Sequence, residues 1–230
     1  MRKLVLWGHH LDEYQEMFDC SLDNQSLRIL EYGCGASAVN KEGHDHGMSV
    51  VSCDPLFVLD KSTLSTQVSL IFEDMLDQMK MHQSLFDFSA YGGFDAFIAH
   101  RRDGVRTFFE DYELGLQEER YCLMNDLNLS FPDFSFDLAL SSHYLFADLD
   151  NQDGDFHLNA ILELARVAKE VRIFPLIDRY GVLSPLLGPV LLGLQKNNYG
   201  VEVKEVKYHL QPKGNAMLRV WAQHCELGVA

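Results

Sequence analysis

A glycine turn between an apolar strand and a short helix constrains this chain more than any other feature. Residues 27–32 (LRILEY) form a compact apolar run that ends at Gly33, as expected for a buried strand. Ser37 then stands where a helix N-cap would, and a short helix is predicted to follow it. Residues 48–54 (MSVVSCD) form a second strand, which Pro55 ends because proline cannot continue a central ladder. Two parallel strands joined by a right-handed crossover helix are the simplest interpretation.

The same alternation of strands and helices continues through the second half of the chain. Further strands are predicted at 120–126, 136–143 and 170–176, helices at 158–169 and 188–198, and a closing hairpin at 201–210 and 216–224. Because helical stretches separate the first five strands, the pattern indicates an α/β fold. We therefore expect a Rossmann-like, three-layer architecture whose seven-stranded, mostly parallel sheet has an antiparallel last strand.

Residues 56–119 interrupt this alternation after the second strand. They are rich in Asp, Gln, Met and Phe, and two helices are predicted within them, at 71–88 and 105–120, with Gly92 and Gly93 as the break. A plain crossover needs only a dozen or more residues. We interpret the segment as a helical insertion or lid on one domain spanning 1–230, because it lacks the length to bury a core of its own.

Charge and cysteine content restrict the class of partner. The formal net charge is −15, which argues against nucleic acid and against anionic membranes as partners. Five widely spread cysteines without a C-x-x-C pair indicate reduced thiols in a cytoplasmic protein and no zinc site. His44 and His46 lack the spacing of a helical metal-binding pair, so no metal is predicted. No apolar run is long enough to cross a membrane.

Acidic residues stand at the ends of three successive predicted strands. Glu31 precedes the Gly33-Cys34-Gly35 turn, Asp54 ends the second strand, and Asp126 ends the third. Each alone is explained as a cap or turn residue. Together at one edge of a sheet they favour a ligand that carries hydroxyls, an amine or a positive charge, because buried unpaired carboxylates are costly.

With these residues in view, the sequence resembles class I S-adenosylmethionine (SAM)-dependent methyltransferases. The resemblance is carried by LRILEYGCGAS, by MSVVSCDP and by MNDLNLSFPDFSFDLALSSHYLF, and it spans roughly residues 27–178. A closer resemblance, to an uncharacterised bacterial subgroup of this family, is carried by the segments HHLDEY, HRRDGVRTFFEDYELGLQEERY and PKGNAMLRV. Ser37 departs from the pattern, since the family usually has a third glycine there.

The resemblance implies SAM as the cofactor and assigns residues to it. Glu31 would meet the methionine amino end, the two glycines would form a floor under the cofactor, Asp54 would take the ribose hydroxyls, and Asp126 the adenine amine. The implied cofactor-binding residues are Glu31, Gly33, Cys34, Gly35, Asp54, Pro55, Asp126, Leu127 and Ser142.

His143 is the candidate catalytic base at the end of the fourth strand. A neutral imidazole with a purely structural hydrogen bond explains it equally well. Tyr144 would border the sulfonium or the substrate, although plain packing is its more ordinary role. Arg101 and Arg102 are candidate contacts to a substrate carboxylate or phosphate. The favoured interpretation of both arginines is a solvated helix start that pairs with Asp103 or Glu110.

The predicted function is methyl transfer from SAM to a small-molecule acceptor held under a helical lid, by a monomer or homodimer. One alternative is an NAD(P)-dependent oxidoreductase, because Gly33-x-Gly35-x-x-Ala38 satisfies a relaxed dinucleotide fingerprint. Against it, the negative charge of Glu31 is wrong beside a pyrophosphate. The other alternative is a non-catalytic, SAM-binding regulatory module.

Overall fold

The computed structural model describes residues 6–21, 25–124, 127–146, 152–178 and 180–222. Its helices are α1 (Leu11–Met17), α2 (Val39–Asp45), α3 (Lys61–Met81), α4 (Phe94–Gln117), α5 (Gly154–Val167) and α6 (Leu187–Lys196). Its strands are β1 (Arg28–Tyr32), β2 (Ser49–Asp54), β3 (Tyr121–Leu123), β4 (Phe136–Ser142), β5 (Ala168–Phe174), β6 (Tyr199–Glu205) and β7 (Ala216–Ala222).

The strands form one seven-stranded sheet in the order β3-β2-β1-β4-β5-β7-β6. Strands β1 to β5 pair in parallel, whereas β7 runs antiparallel to both of its neighbours. This confirms the Rossmann-like sheet with a reversed last strand. The strand order changes direction between β1 and β4, which pair through Leu30 and Ala139. A crevice at the carboxyl ends of these two strands is where such sheets bind ligands.

Apolar side chains on both faces of the sheet form the core. On one face, Leu30 and Val171 pack with residues of α5 and α6 such as Ile161. On the other face, Tyr14 of α1 packs in one cluster with Leu140 and with residues of α2 and α4. Helices therefore cover both faces, and the three-layer prediction is confirmed. None of the helices that the structure describes is both long and apolar enough to span a lipid bilayer.

The segment between β2 and β3 is helical, but its helices begin earlier than the sequence predicts. Helix α3 begins at Lys61 because the Asp60 carboxylate accepts hydrogen bonds from the Ser62 and Thr63 amides, both at 3.0 Å. Helix α4 begins at Phe94, directly after the glycine break. The predicted starts at 71 and 105 were too late, because Leu64 and Val68 of α3 and Phe94 and Phe97 of α4 already repeat at helical spacing before them.

Helices α3 and α4 share their core with the sheet. Phe108 and Tyr112 of α4 lie in one buried cluster with Cys34 and Ala36 of the glycine turn, together with Tyr121 of β3. The segment between β2 and β3 therefore packs directly beside the turn after β1. This places it next to the ends of the strands that carry the candidate site.

Candidate functional site

The turn after β1 depends on two glycines in left-handed conformation. Gly33 has φ +67° and Gly35 has φ +59°, values that cost most other residues about 1–2 kcal/mol. The Gly33 amide donates to the Cys53 carbonyl at 2.8 Å, which joins the turn to β2. Ala38, not the predicted Ser37, is the N-cap of α2, and the Ser37 hydroxyl accepts from the Val39 amide at 3.1 Å just before it.

Asp54 ties the end of β2 to this turn. Its carboxylate accepts a hydrogen bond from the Gly35 amide at 2.7 Å and another from the Leu56 amide at 2.9 Å. The side chain is 1% exposed. Burial raises the pKa of Asp54 to about 6, although the two backbone donors act in the opposite direction. The carboxylate thus has a structural role as a cap while it lies beside the glycine turn.

Glu31 is the second buried carboxylate. One of its oxygens, Oε2, accepts from the Ser52 hydroxyl at 2.6 Å, and Ser52 is its register partner on β2. Oε1 is buried and meets no hydrogen-bond partner of normal geometry within the described residues. Burial raises the pKa of Glu31, and the Ser52 hydroxyl partly offsets this effect. The charge of Glu31 in turn contributes to the raised pKa of Asp54, so the two groups lie in one acidic environment.

Tyr144 lies directly over the glycine turn. A Cβ added to Gly33 would stand 2.2 Å from Cγ of the Tyr144 ring, so only glycine allows this approach. The ring also meets Tyr32 edge to face, with centroids 5.4 Å apart. Tyr144 therefore covers the place where the resemblance puts the floor of the cofactor site.

Ser142 and His143 lie at the carboxyl end of β4. The Ser142 Oγ is 2.7 Å from Nδ1 of His143, and the His143 amide donates to the Phe174 carbonyl at 2.6 Å. His143 has φ +58°, a left-handed conformation that is uncommon in residues other than glycine. Burial lowers the pKa of His143 well below its usual value, and the neighbouring His9 and Arg101 contribute a smaller lowering. The imidazole is therefore neutral at pH 7.

The N-terminal segment supplies residues that the sequence reasoning missed. His9 Nε2 is 3.2 Å from His143 Nδ1, and the two rings lie 4.9 Å apart. The ring of Trp7 lies 4.5 Å from that of His143. Burial and the charge of Arg101 lower the pKa of His9 to about 4, so this imidazole is also neutral at pH 7. The run Trp7 to His10, with two histidines among apolar residues, was the signal available in the sequence.

Arg101 is fully buried, so its interpretation as part of a solvated helix start was wrong. Both of its terminal nitrogens bond the Glu13 carboxylate, and Nη2 also donates to the hydroxyls of Tyr91 and Tyr208, at 2.9 and 3.0 Å. Helix α4 begins at Phe94, which puts Arg101 two turns into the helix on its inner face. Burial alone would raise the pKa of Glu13, but Arg101 and the nearby histidines outweigh it and hold the pKa well below normal.

Arg102 points away from this network. It is exposed and contacts Glu73 of α3 at 3.1 Å, not the predicted partners. Asp103 and Glu110 instead pair with Arg106 on the same helix. The structure thus separates the two arginines that the sequence grouped as substrate candidates.

The remaining predicted cofactor residues lie near the turn or outside the described part of the chain. Cys34 is buried, and burial together with Glu31 and Asp54 raises the pKa of its thiol well above normal. Pro55 opens the 3-10 turn Pro55–Val58. Leu127 is 36% exposed. Asp126, predicted to meet the adenine amine, lies outside the described residues.

Comparison with known proteins gives distant similarities. No family model matches the chain. An uncharacterized protein of Methanocaldococcus jannaschii is 26% identical over 219 residues, covering 95% of this chain and 96% of that protein. A SAM-dependent methyltransferase from Methanosarcina mazei aligns with a TM-score of 0.47 and 14% identity, over 86% of this chain and 93% of that one. Magnesium protoporphyrin IX methyltransferase from Synechocystis aligns with a TM-score of 0.48 and 10% identity, over 92% of this chain and 81% of that one.

TrmN from Thermus thermophilus also aligns, with a TM-score of 0.47 and 12% identity over 93% of this chain and 48% of that one. At these identities and TM-scores, the similarities carry no conclusion about the activity of this chain.

Proposed function

We propose that this protein binds SAM at the carboxyl ends of β1 and β2 and transfers its methyl group to a small molecule. The observation that carries the proposal is the pair of buried carboxylates, Glu31 and Asp54, beside the Gly33–Gly35 turn. Two buried acids with raised pKa values favour a ligand that brings positive charge and hydroxyl donors. SAM offers a sulfonium, an ammonium and a ribose.

The donors and acceptors of the site fit this ligand. The buried Oε1 of Glu31 would offer an acceptor to the methionine ammonium. Asp54 would take the ribose hydroxyls on the lone pairs left by its two backbone donors. The backbone at Gly35 would pass under the cofactor beside the Tyr144 ring, which covers Gly33, with Leu127 toward the adenine. Bound SAM supplies a methyl group that is already electrophilic because its sulfur is positively charged.

The chain's own contribution is positioning. Ser142, His143 and Tyr144 stand beside the glycine turn, where they would hold the acceptor in line with the methyl group. Alignment at near-attack distance supplies several kcal/mol of rate acceleration without any proton transfer. The acceptor's lone pair forms the new bond, and the electron pair of the broken carbon–sulfur bond stays on sulfur, which becomes a neutral thioether.

Helices α3 and α4 would form the wall that selects the acceptor. They pack against Cys34 and Ala36, next to the cofactor turn, and segments that cover a rigid sheet commonly set specificity. The exposed Arg102 would meet an acidic acceptor only from the outer side of this wall. The net charge of −15 favours a small acceptor over RNA, in a monomer or homodimer in the cytoplasm.

A nicotinamide dinucleotide is the alternative ligand, and the acidic pair argues against it. Its pyrophosphate would stand at the N-terminus of α2, near Glu31 and Asp54, where two carboxylates repel it. SAM carries no phosphate and meets no such penalty. A module that binds SAM without catalysis would share the same cofactor residues and differ only in turnover.

Isothermal titration calorimetry with SAM, S-adenosylhomocysteine and NAD tests the proposal. We expect SAM to bind and NAD not to bind. The Asp54→Ala variant should bind SAM at least about tenfold more weakly, because charge-assisted hydrogen bonds to the ribose are lost. Asp60→Ala is the matched control, since Asp60 also accepts two backbone amides but lies at the exposed start of α3. Binding of NAD alone, or equal SAM affinity in both variants, would refute the proposal.

A further inference from the structure

A continuous chain of polar contacts runs from α4 to the end of β4. Arg101 Nη1 lies 3.2 Å from His9 Nδ1, and His9 Nε2 lies 3.2 Å from His143 Nδ1. All three side chains are buried. Each imidazole has one nitrogen that donates and one that accepts while it is neutral, so the order of hydrogens along such a chain is fixed once one end is known.

Arg101 fixes that end. A guanidinium has five N–H donors and no acceptor, so the Arg101–His9 contact is a hydrogen bond only if His9 Nδ1 is bare. The Glu13 carboxylate is the competing partner, but its Oε2 lies farther from the same nitrogen, at 3.4 Å. Glu13 is already held by both terminal nitrogens of Arg101. A hydrogen on His9 Nδ1 would point against the guanidinium, which is the costly arrangement.

The remaining steps follow from the ring geometry. With Nδ1 bare, neutral His9 carries its hydrogen on Nε2 and donates it to Nδ1 of His143. The Ser142 hydroxyl lies 2.7 Å from the same nitrogen and 3.5 Å from the Met17 sulfur, and its single hydrogen goes to the nitrogen, which is the nearer and stronger acceptor. His143 then has its hydrogen on Nε2.

We propose that His9 is a positioning residue that holds His143 as the Nε2–H tautomer, so that His143 donates a hydrogen bond to the methyl acceptor and does not remove a proton from it. This inference deepens the proposed function and rests on it for the identity of the ligand. It specifies the acceptor class: a molecule with a lone pair facing His143, such as a carbonyl or carboxylate oxygen. Any proton that the nucleophile loses passes to water, and His143 stays neutral throughout.

The neighbours of the two rings support a fixed tautomer. Trp7 and Phe174 pack on His143, and Tyr14 and Tyr208 pack on His9. These contacts hold both rings in place. Because the His143 ring is held in place and accepts hydrogen bonds at Nδ1, its Nε2 points in a fixed direction and acts as a donor.

Long-range proton–nitrogen correlation NMR on histidine-labelled protein measures the tautomer directly and needs no SAM. The His143→Gln and His9→Gln variants assign the signals. We expect His143 in the wild type to favour the Nε2–H form by about tenfold or more. In His9→Phe, which keeps an aromatic ring but has no donor, this preference should fall. His9→Gln supplies an N–H donor and should retain it. His44→Phe, at an exposed histidine near Glu118, is the control and should change nothing.

A wild-type His143 with its hydrogen on Nδ1 overturns the inference, and so does an unchanged tautomer in His9→Phe. The wild-type spectrum decides even if His9→Phe does not fold. The tautomer is measured without SAM, so its result is independent of the calorimetric test of SAM binding. A protein that fails to bind SAM but shows the Nε2–H tautomer refutes only the proposed function.

Discussion

The raised pKa of Asp54 makes folding stability depend on pH in an unusual direction. Its value rises from 3.8 in the unfolded chain to about 6 in the folded protein, because burial disfavours the carboxylate. At about 1.36 kcal/mol per pKa unit, ionisation of Asp54 costs the folded state roughly 3 kcal/mol. The folded state binds this proton more tightly than the unfolded state does. The contribution of Asp54 to stability is therefore fully present below pH 3.8 and is lost as the pH rises through about 6.

Urea denaturation of the wild type and Asp54→Asn at several pH values, followed by tryptophan fluorescence, measures this contribution. Relative to Asp54→Asn, the wild type should lose about 3 kcal/mol of unfolding free energy between about pH 4 and pH 7. Asp60→Asn is a control of opposite sign. The Thr63 amide and hydroxyl lower the pKa of Asp60, so the wild type should gain stability relative to that variant as the pH rises. A flat difference for Asp54, or one with the sign seen for Asp60, would refute the reasoning.

The same group should make SAM binding pH-dependent. If the ribose hydroxyls donate to the carboxylate, only the ionised form of Asp54 binds them well. The apparent SAM affinity should then be about tenfold weaker at pH 5 than at high pH, because only about a tenth of the carboxyl groups are ionised there. Calorimetry at the two pH values measures the ratio, and Asp54→Asn should abolish the dependence. An affinity that rises as the pH falls would contradict this account.

Three further predictions concern other parts of the site. Gly33→Ala should lose about 2–5 kcal/mol of stability in urea denaturation, from the left-handed backbone and the clash with Tyr144. His143→Ala should lower turnover more than SAM affinity in a methyl-transfer assay, whereas equal losses would make His143 a structural residue. Glu13→Gln should cost about 3–5 kcal/mol, because it leaves the buried charge of Arg101 unpaired; a loss below about 1 kcal/mol would show that water reaches the pair.

The position of Glu31 and Asp54 beside the glycine turn could be predicted because its signals are local. Glu31 and Asp54 stand at the ends of β1 and β2, and the carboxyl ends of parallel strands meet at one edge of a sheet. The turn at Gly33–Gly35 is likewise specified by its own residues. The second role of Asp54 could not be predicted. Sequence spacing shows Asp54 at a strand end but does not show that its carboxylate also accepts a hydrogen bond from the Gly35 amide across the turn.

The His9–Arg101 side of the site could not be predicted because it depends on packing between distant segments. Arg101 shares the buried face of α4 with Phe97 and Phe108, which can be seen only when α4 is known to begin at Phe94, and helix starts are the least certain part of a periodicity argument. His9 and Glu13 come from an N-terminal segment whose partners lie about ninety residues away in α4. No local pattern reports such a contact, although paired polar residues inside apolar surroundings indicate that one exists.

The charges of the two sides are complementary for a cationic ligand. At the acceptor side, the guanidinium of Arg101 would repel a sulfonium, but Glu13 neutralises it, and burial keeps His9 and His143 uncharged at pH 7. On the cofactor side, Asp54 is ionised at pH 7 and contributes negative charge. The local field would therefore attract the proposed cationic cofactor, and a neutral thioether product would lose that attraction. Under the proposed function, the same arrangement thus favours both binding of the methyl donor and release of the product.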